Sequence, residues 1–390
     1  MKILYDYQIF EHQSFGGISR YFSEIIDHLP SNIKTDIAIK FSDNVYLKKT
    51  KLVSEIKKLY DPRVDFLKGI EFKGKGRLFN IVKKYNPQKY REANFLNQKY
   101  TIESLRQQIF DVFHPTYYDN YFLKYLGNKP FVLTVHDMNH ELFPEFYASQ
   151  IELDFVKTKA LLMEKAAHLI AVSENTKKDI IEILGINKEK ISVIYHAVSL
   201  PNTVDIKKIQ LPDKYLLYVG DRAAEYKNFK FMIRALTPIL NEDSELKIIC
   251  TGKEFDYKEI NLFKSLGVVN QLISIFVDDH NLNHLYNCAL AFIFPSYYEG
   301  FGLPILEAFK NECPVLLSSS SCFPEIAGDA AIFFEAKSMQ SIRKIVRSID
   351  ENEGLRKELI KKGNKRLQHF SWEKAANQTA EIYQKVLKSE

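Results

Sequence analysis

A chain of 390 residues, 46% hydrophobic, is long enough for two domains of ordinary size. Its net charge of +5 is mild and no nucleic-acid motif accompanies it, which argues against a nucleic-acid binder. The four cysteines form no CxxC pair and no metal-ligand spacing, no apolar run reaches the length of a membrane span, and MKILYDYQIF reads as a strand rather than a leader, so the expectation is a cytoplasmic protein with reduced, buried thiols.

Strand-like apolar runs alternate with helical patterns along most of the chain, the rhythm of βαβ units and parallel sheets. Strands are predicted at 2–5, 35–40, 111–114, 131–135, 169–172 and 191–195. A second series is predicted at 215–219, 246–251, 272–276, 290–294, 315–318 and 331–334. Helical patterns fall between them at 18–29, 228–240 and 338–349. The polar stretch from Ser199 to Lys214, with Pro201 and Pro212, reads as the linker. The fold class is therefore α/β, with a first doubly wound, Rossmann-like domain over 1–200 and a second over 213–370. Ser371 caps a terminal amphipathic helix over 371–390. Residues 45–105 break the rhythm and read as an insertion. Within them, Lys68 to Lys99 carries nine Lys or Arg against two acidic residues, interleaved with Phe, Leu, Ile and Tyr. A lipid-facing surface, contact with a phosphate-bearing acceptor and a merely solvated face are all compatible with that run.

Ligands of doubly wound sheets bind outside the carboxyl ends of the strands. The richest such place is FIFPSYYEGFGLPILEAFKNECPVLLSSSSCFPEIAGDAAIFF, residues 292–334. Glu299 and Glu307 bracket a loop, Gly300-Phe301-Gly302-Leu303, whose glycines let the backbone approach a ligand closely. Pro304 suits the first helical residue, Glu307 is expected in the first turn, and the positive end of that helix would suit a phosphate. Arg222 and Lys227, in the loop after the first strand of the second domain, are candidate phosphate cations. Gly16 and Gly17 open a helix after the first strand, either as a ligand-approaching loop or as a simple turn. His136 closes the apolar strand FVLTV, with Asp137 placed to orient it or to cap the next helix. His114, Ser173, Glu174 and His196 also stand at strand ends. Asp278-Asp279-His280 lacks a spaced acidic pair and reads as a helix start; no metal is expected.

These segments together, with FGGISRYF, HPTYY, VHDMNHELFPEFY, LIAVSENTKKDI, YVGDRAAEYKNFKFMIRAL and FSWEKAANQTAEIY, resemble glycosyltransferase family 4, the retaining enzymes of the GT-B fold. VHDMNHELFPEFY is most similar to the mannosyltransferase-B-like branch. The resemblance implies two Rossmann-like domains facing each other across a cleft, an acceptor-side first domain, and a terminal helix crossing back to it. It implies a nucleotide-sugar donor, GDP- or UDP-linked with GDP-mannose leading, and a glycan or lipid-linked acceptor, with residence on the inner face of a membrane an open expectation. By the same resemblance Glu299 contacts the donor sugar, Glu307 takes the ribose hydroxyls, Lys227 and Arg222 bind the diphosphate, and His136 faces the sugar. The backbone of Gly300, Phe301, Gly302 and Leu303 would hold sugar hydroxyls and phosphate, and Gly16 and Gly17 belong to the first-domain wall. The match at Lys227-Asn228 is clean, whereas Arg222 lies two residues past Gly220. Glu312-Cys313 departs from the family's Gly-Thr, past the helix.

Overall fold

The computed structural model describes residues 1–50, 66–67, 69–70, 72–85, 87–199 and 210–388. The first sheet system contains β1 (Lys2–Tyr5), β2 (Lys34–Ile37), β3 (Val112–His114), β4 (Val132–Val135), β5 (His168–Ala171) and β6 (Ile191–Val193). It forms two three-stranded parallel sheets, β2-β1-β3 and β4-β5-β6, joined edge to edge by a bridge between Phe113 and Phe131. The second contains β7 (Tyr215–Tyr218), β8 (Lys247–Thr251), β9 (Leu272–Ile275), β10 (Ala291–Phe294), β11 (Val315–Ser318) and β12 (Ile332–Phe334). These make one parallel sheet in the order β12-β11-β10-β7-β8-β9. The order reverses between β7 and β10, the place where a doubly wound sheet opens a crevice.

The strands form where the sequence is apolar on both faces. VLTV, HLIA, YLLY, AFIF and VLLS are buried at every position, as expected for parallel strands covered on both sides. Five strands stop earlier than their predicted runs. β2 ends at Ile37, β5 at Ala171, β6 at Val193, β7 at Tyr218 and β9 at Ile275. Past these points the chain leaves the ladder to become the loops at the carboxyl edge.

Helix α1 (Gly17–His28) precedes β2, and between β2 and β3 the described residues hold a short 3-10 turn at Leu47–Lys49, two α-helices, α2 (Lys75–Tyr85) and α3 (Pro87–Gln107), and no strand. The other helices that matter to the site are α4 (Glu174–Leu184), α5 (Phe229–Glu242), α6 (Leu303–Lys310) and α7 (Trp372–Lys388). Helix α7 lies back against α1, and its Tyr383 hydroxyl bonds Tyr5 at 2.7 Å and His114 Nδ1 at 2.7 Å. One buried apolar cluster contains Tyr21, Phe22 and Ile194 from the first half together with Phe301, Ile305 and Leu306 from the second and Trp372 from α7. The two halves thus share a core. Most of the expected linker, residues 200–209, lies outside the described residues. Among the cysteines Cys250, Cys313 and Cys322 are buried, but Cys288 is exposed, because it falls in the last turn of a surface helix rather than in a strand. Among the described residues no helix is long and apolar enough to cross a membrane.

Candidate active site between the two sheets

The loops after β7 and β10 meet at the switch point of the second sheet. Asn228 ties them together. It adopts a left-handed conformation, φ 59°, at the start of α5, and its Nδ2 donates to Pro295 O at 3.1 Å and to Ala336 O at 2.8 Å. This clamp positions the preceding residue. Lys227 Nζ bonds Glu299 Oε1 at 2.6 Å, and Ser296 Oγ donates to the same oxygen at 2.8 Å. Both ion-pair side chains are 14% exposed. A pair this close to the surface of a cleft is held firmly yet is still reachable by a ligand. An ammonium has three N–H donors, so Lys227 can hold Glu299 and a phosphate oxygen at once.

From Glu299 the chain turns sharply. Ser321 Oγ donates to Glu299 O at 2.6 Å, and Gly302 takes φ 88°, a left-handed value that glycine adopts without strain. Gly300 lies against the first half: a Cβ there would overlap the carbonyl oxygen of His136. Its own carbonyl accepts from Ser173 Oγ at 2.7 Å. Ser173 therefore does two things, since it also caps α4 by accepting from Thr176 N at 3.0 Å. Phe301 is buried beside His196, ring centroids 4.8 Å apart.

Helix α6 begins at Leu303, with Pro304 in its opening turn. Glu307 is consequently its fifth residue, beyond the first turn, a correction that follows from the helix starting right after Gly302. Its side chain is 7% exposed and already paired. Arg20 Nη1 bonds Oε1 at 2.8 Å and Tyr286 OH donates to Oε2 at 3.2 Å. Arg20 Nη2 in turn donates to Tyr46 OH at 2.8 Å. Arg20 stands in the opening turn of α1, the helix that Gly17 begins. A Cβ on Gly17 would lie 3.4 Å from Leu303 Cδ1, so the two glycine-opened helices converge on each other. A Cβ on Gly16 would instead overlap the side chain of Gln13.

His136 follows β4. Its backbone N–H donates to Tyr118 OH at 3.0 Å, while both ring nitrogens are buried without a hydrogen-bond partner. Burial first, then His114 and Lys159, push its imidazole down to about 3, so the ring is neutral. His114 is structural by its contacts, with Nδ1 on Tyr383 and Nε2 on Thr134 Oγ1 at 3.0 Å. His196 stacks on Tyr21 at 4.6 Å, and burial and His136 drive its imidazole well below the usual value. Glu174 contributes its backbone: its N–H donates to Glu325 Oε1 at 2.6 Å.

The structure thus brings Gly17, His136, Lys227, Glu299, Gly300, Leu303 and Glu307 to one cleft. Arg222 stands apart from Glu299. Its Nε bonds Glu259 Oε1 at 2.7 Å, Nη1 donates to Thr251 O at 3.2 Å, and Nη2 donates to Lys253 O at 2.7 Å, with the guanidinium over Phe255. A planar fork so occupied pins the edge of β8. Asp278, as read, caps a helix, accepting from Asn281 N at 2.9 Å. Arg20, Tyr286, Ser296 and Ser321 were not singled out in the sequence. For Arg20 the signal was present, a cation in the first turn of a glycine-opened helix.

Two family models match most of the chain. The model "Glycosyltransferase Family 4" matches residues 15–201 and "Glycosyl transferases group 1" matches residues 201–366. The O-antigen chain mannosyltransferase B of Escherichia coli is 26% identical over 265 residues, 65% of this chain and 69% of that protein. The GDP-mannose:cellobiosyl-diphosphopolyprenol alpha-mannosyltransferase of Xanthomonas oryzae pv. oryzae is 26% identical over 217 residues, covering 53% of this chain and 54% of that protein. In fold the chain is similar to the sucrose-phosphate synthase from Thermosynechococcus elongatus, with TM-score 0.70, 17% identity and 100% and 99% of the two chains covered. It is equally similar to Anabaena HepE in complex with UDP and glucose, with TM-score 0.69, 16% identity and 98% of each chain covered.

Proposed function

The chain belongs to glycosyltransferase family 4 and has the GT-B fold, and from that premise we propose that it is a retaining enzyme moving mannose from GDP-mannose to a hydroxyl of a surface-polysaccharide or lipid-linked glycan. The observation that carries the reading is the Lys227–Glu299 pair, 2.6 Å apart at the carboxyl ends of β7 and β10, facing the backbone contact between Gly300 and His136. Breaking the bond from the anomeric carbon to phosphate builds negative charge on the diphosphate and positive charge on the sugar. Lys227 and the amino end of α6 stand where the negative charge grows. Glu299 stands where the sugar must lie. His136, neutral, offers hydrogen bonds to sugar hydroxyls without adding charge.

The acceptor oxygen adds to the anomeric carbon from the face that the diphosphate leaves, and the leaving phosphate oxygen takes the acceptor's proton. No side-chain base is needed, and no metal, because Lys227 and the helix end supply the positive field. Glu307 takes the ribose hydroxyls while Arg20 and Tyr286 hold the carboxylate in place. Support for mannose comes from the names of the relatives, both mannosyltransferases. A UDP-hexose donor is the second reading, favoured by the UDP and glucose bound to the fold neighbour.

Calorimetry with GDP, UDP and ADP separates these. GDP should bind tightest, chelation of divalent ions should change nothing, and Lys227→Ala and Glu307→Gln should each weaken binding by about tenfold to a hundredfold, the usual worth of a charge-assisted hydrogen bond. Preference for UDP would move the donor to a UDP-hexose. Tight nucleotide binding with no sugar transfer would mark a non-catalytic relative, and undiminished affinity in both variants would overturn the site.

A further inference from the structure

Directly after β4 the chain runs along the second half. A Cβ on Gly300 would come within 3.2 Å of Asp137 Cα, Met138 N donates to Tyr298 OH at 3.2 Å, and the Phe143 ring lies 5.9 Å from that of Tyr298. Residues 136–147 are therefore a wall of the cleft, and of their side chains only His136 has a part in the donor site described above. Their polar groups are incompletely paired. Asn139 is 5% exposed and donates from Nδ2 to Tyr147 OH at 2.9 Å, yet its Oδ1 is buried without a partner. His140 Nδ1 and Glu141 Oε1 are likewise buried and unpartnered. Buried polar atoms are nearly always bonded, so three in consecutive residues call for hydrogen bonds from outside the protein.

Beside them stand groups that are open. The Asp137 side chain is 39% exposed; its Oδ1 accepts from Asn139 N at 3.1 Å, and its Oδ2 has no hydrogen bond among the described residues. Tyr147 OH accepts from Asn139 and keeps its own proton to give. Tyr226, from the second half, directly precedes Lys227, whose Nζ lies 5.2 Å from its ring centroid. Burial, then Tyr226 and Asp137, push the Tyr147 phenol up; burial, then Glu299 and Asp137, do the same to the Tyr226 phenol. Two phenols and the Asp137 carboxylate, drawn from both halves, thus lie within one another's field beside the Lys227–Glu299 pair. The walls are aromatic. Tyr147 stacks on His140 with centroids 4.0 Å apart and 29° between planes, and Phe155 closes on His140 at 4.8 Å. Part-exposed rings beside a few convergent hydrogen-bonding groups fit a molecule with an apolar face and a hydroxylated edge.

The charge narrows the class further. Residues 136–147 contain Asp137, Glu141 and Glu145 and no Lys or Arg. Lys159, which reaches them from the helix Gln150–Lys165, is 1% exposed, and its Nζ is spent on Asp137 O at 2.7 Å and Glu141 Oε2 at 3.0 Å. Lys227 is already shared between Glu299 and the donor phosphate. Burial holds the His140 imidazole below its ordinary value, so it adds no positive charge at neutral pH. A phosphate or carboxylate brought here would face Asp137 without a cation of its own, which is repulsive, whereas hydroxyls would be bound.

We propose that Asp137, Tyr147 and Tyr226 form the subsite for the acceptor's terminal residue, and that it takes an uncharged sugar, whose hydroxyls bond the carboxylate and the two phenols and whose apolar face lies on the rings. The inference rests on the glycosyl-transfer reading and adds the class of acceptor. It is tested by saturation-transfer NMR on the full chain, with and without GDP, using methyl α-D-mannopyranoside, methyl β-D-galactopyranoside, methyl β-D-glucuronide and glycerol phosphate as probes. At least one neutral glycoside should receive signal, and the two anions should not. Asp137→Asn should weaken glycoside binding by about tenfold, the worth of a charge-assisted hydrogen bond, and Tyr147→Phe by about threefold. Both variants should keep wild-type affinity for GDP-mannose and UDP-glucose by calorimetry, which shows that they fold. The proposal is overturned if no neutral glycoside binds, if the anions bind as well, or if both variants bind glycosides like the wild type. It is also overturned if Asp137→Asn weakens the nucleotide sugars equally, which would put Asp137 in the donor pocket. A chain that binds the glycosides through Asp137 but no nucleotide sugar would refute the donor reading and keep the sugar subsite.

Discussion

Gly300 is the residue at which the two halves come into backbone contact, and it has no room for a side chain. Gly300→Ala should force the loop off the His136 carbonyl. Because misplacement by about 1 Å can cost a hundredfold in rate, kcat/KM for sugar transfer should fall by about that factor with far-ultraviolet circular dichroism unchanged. Full activity in this variant would show that the contact does not set the geometry. The buried imidazoles make a second prediction. Burial holds His114 and His136 down to about 3 and His168 down to about 4, with His196 also well below its ordinary value. The unfolded chain takes up protons at these positions as pH falls through about 6.5, and the folded chain does not. Their contribution is therefore complete above that pH and is lost on acidification, at up to about 1.4 kcal/mol per group per pH unit. The buried Asp6 carboxyl, pushed up, has the opposite sign and offsets part of the loss. Urea midpoints should thus be lower at pH 5.5 than at pH 7.5; a rising midpoint on acidification would refute the assignment.

Among the elements, α7 completes a unit that is not its neighbour in sequence. Its Tyr383 hydroxyl satisfies both Tyr5 and His114 inside the first sheet. Tyr383→Phe strands those buried groups and should lower unfolding free energy by about 1–3 kcal/mol, read from urea melts, while nucleotide affinity by calorimetry stays the same. The strands were legible in the sequence because doubly covered parallel strands are unbroken apolar runs, and Gly302 and Pro304 marked the start of α6 to within one residue. Side-chain partners were less so. The Arg20–Glu307 pair joins residues far apart in the chain, and nothing local to either one specifies how two sheets will face. Arg222 and Lys227 look alike as loop cations until Glu259 folds beside one and Glu299 beside the other. The turn that Glu307 occupies was misjudged because the helix starts as soon as Gly302 permits.

At the scale of the molecule, the closed arrangement is held by polar contacts at several points around the shared core. Besides Arg20–Glu307 and Ser173–Gly300, Tyr298 OH donates to Asp179 at 2.6 Å, and the Glu325 carboxylate sits at the amino end of α4, accepting from Glu174 N and from Asn175 N at 3.1 Å. A carboxylate at a helix amino end is a favourable charge–dipole contact. Each clasp uses one group from each half, so separation of the sheets would break them together.

Folding during translation runs from the amino terminus, and domains usually finish in the order they are made. Here Trp372–Lys388 leave the ribosome after every strand of the three sheets. Until they arrive, the hydroxyl of Tyr5 and Nδ1 of His114 await the Tyr383 oxygen that joins them. The lobe synthesised first is the lobe finished last, and a nascent chain halted at residue 371 is a natural client for chaperones.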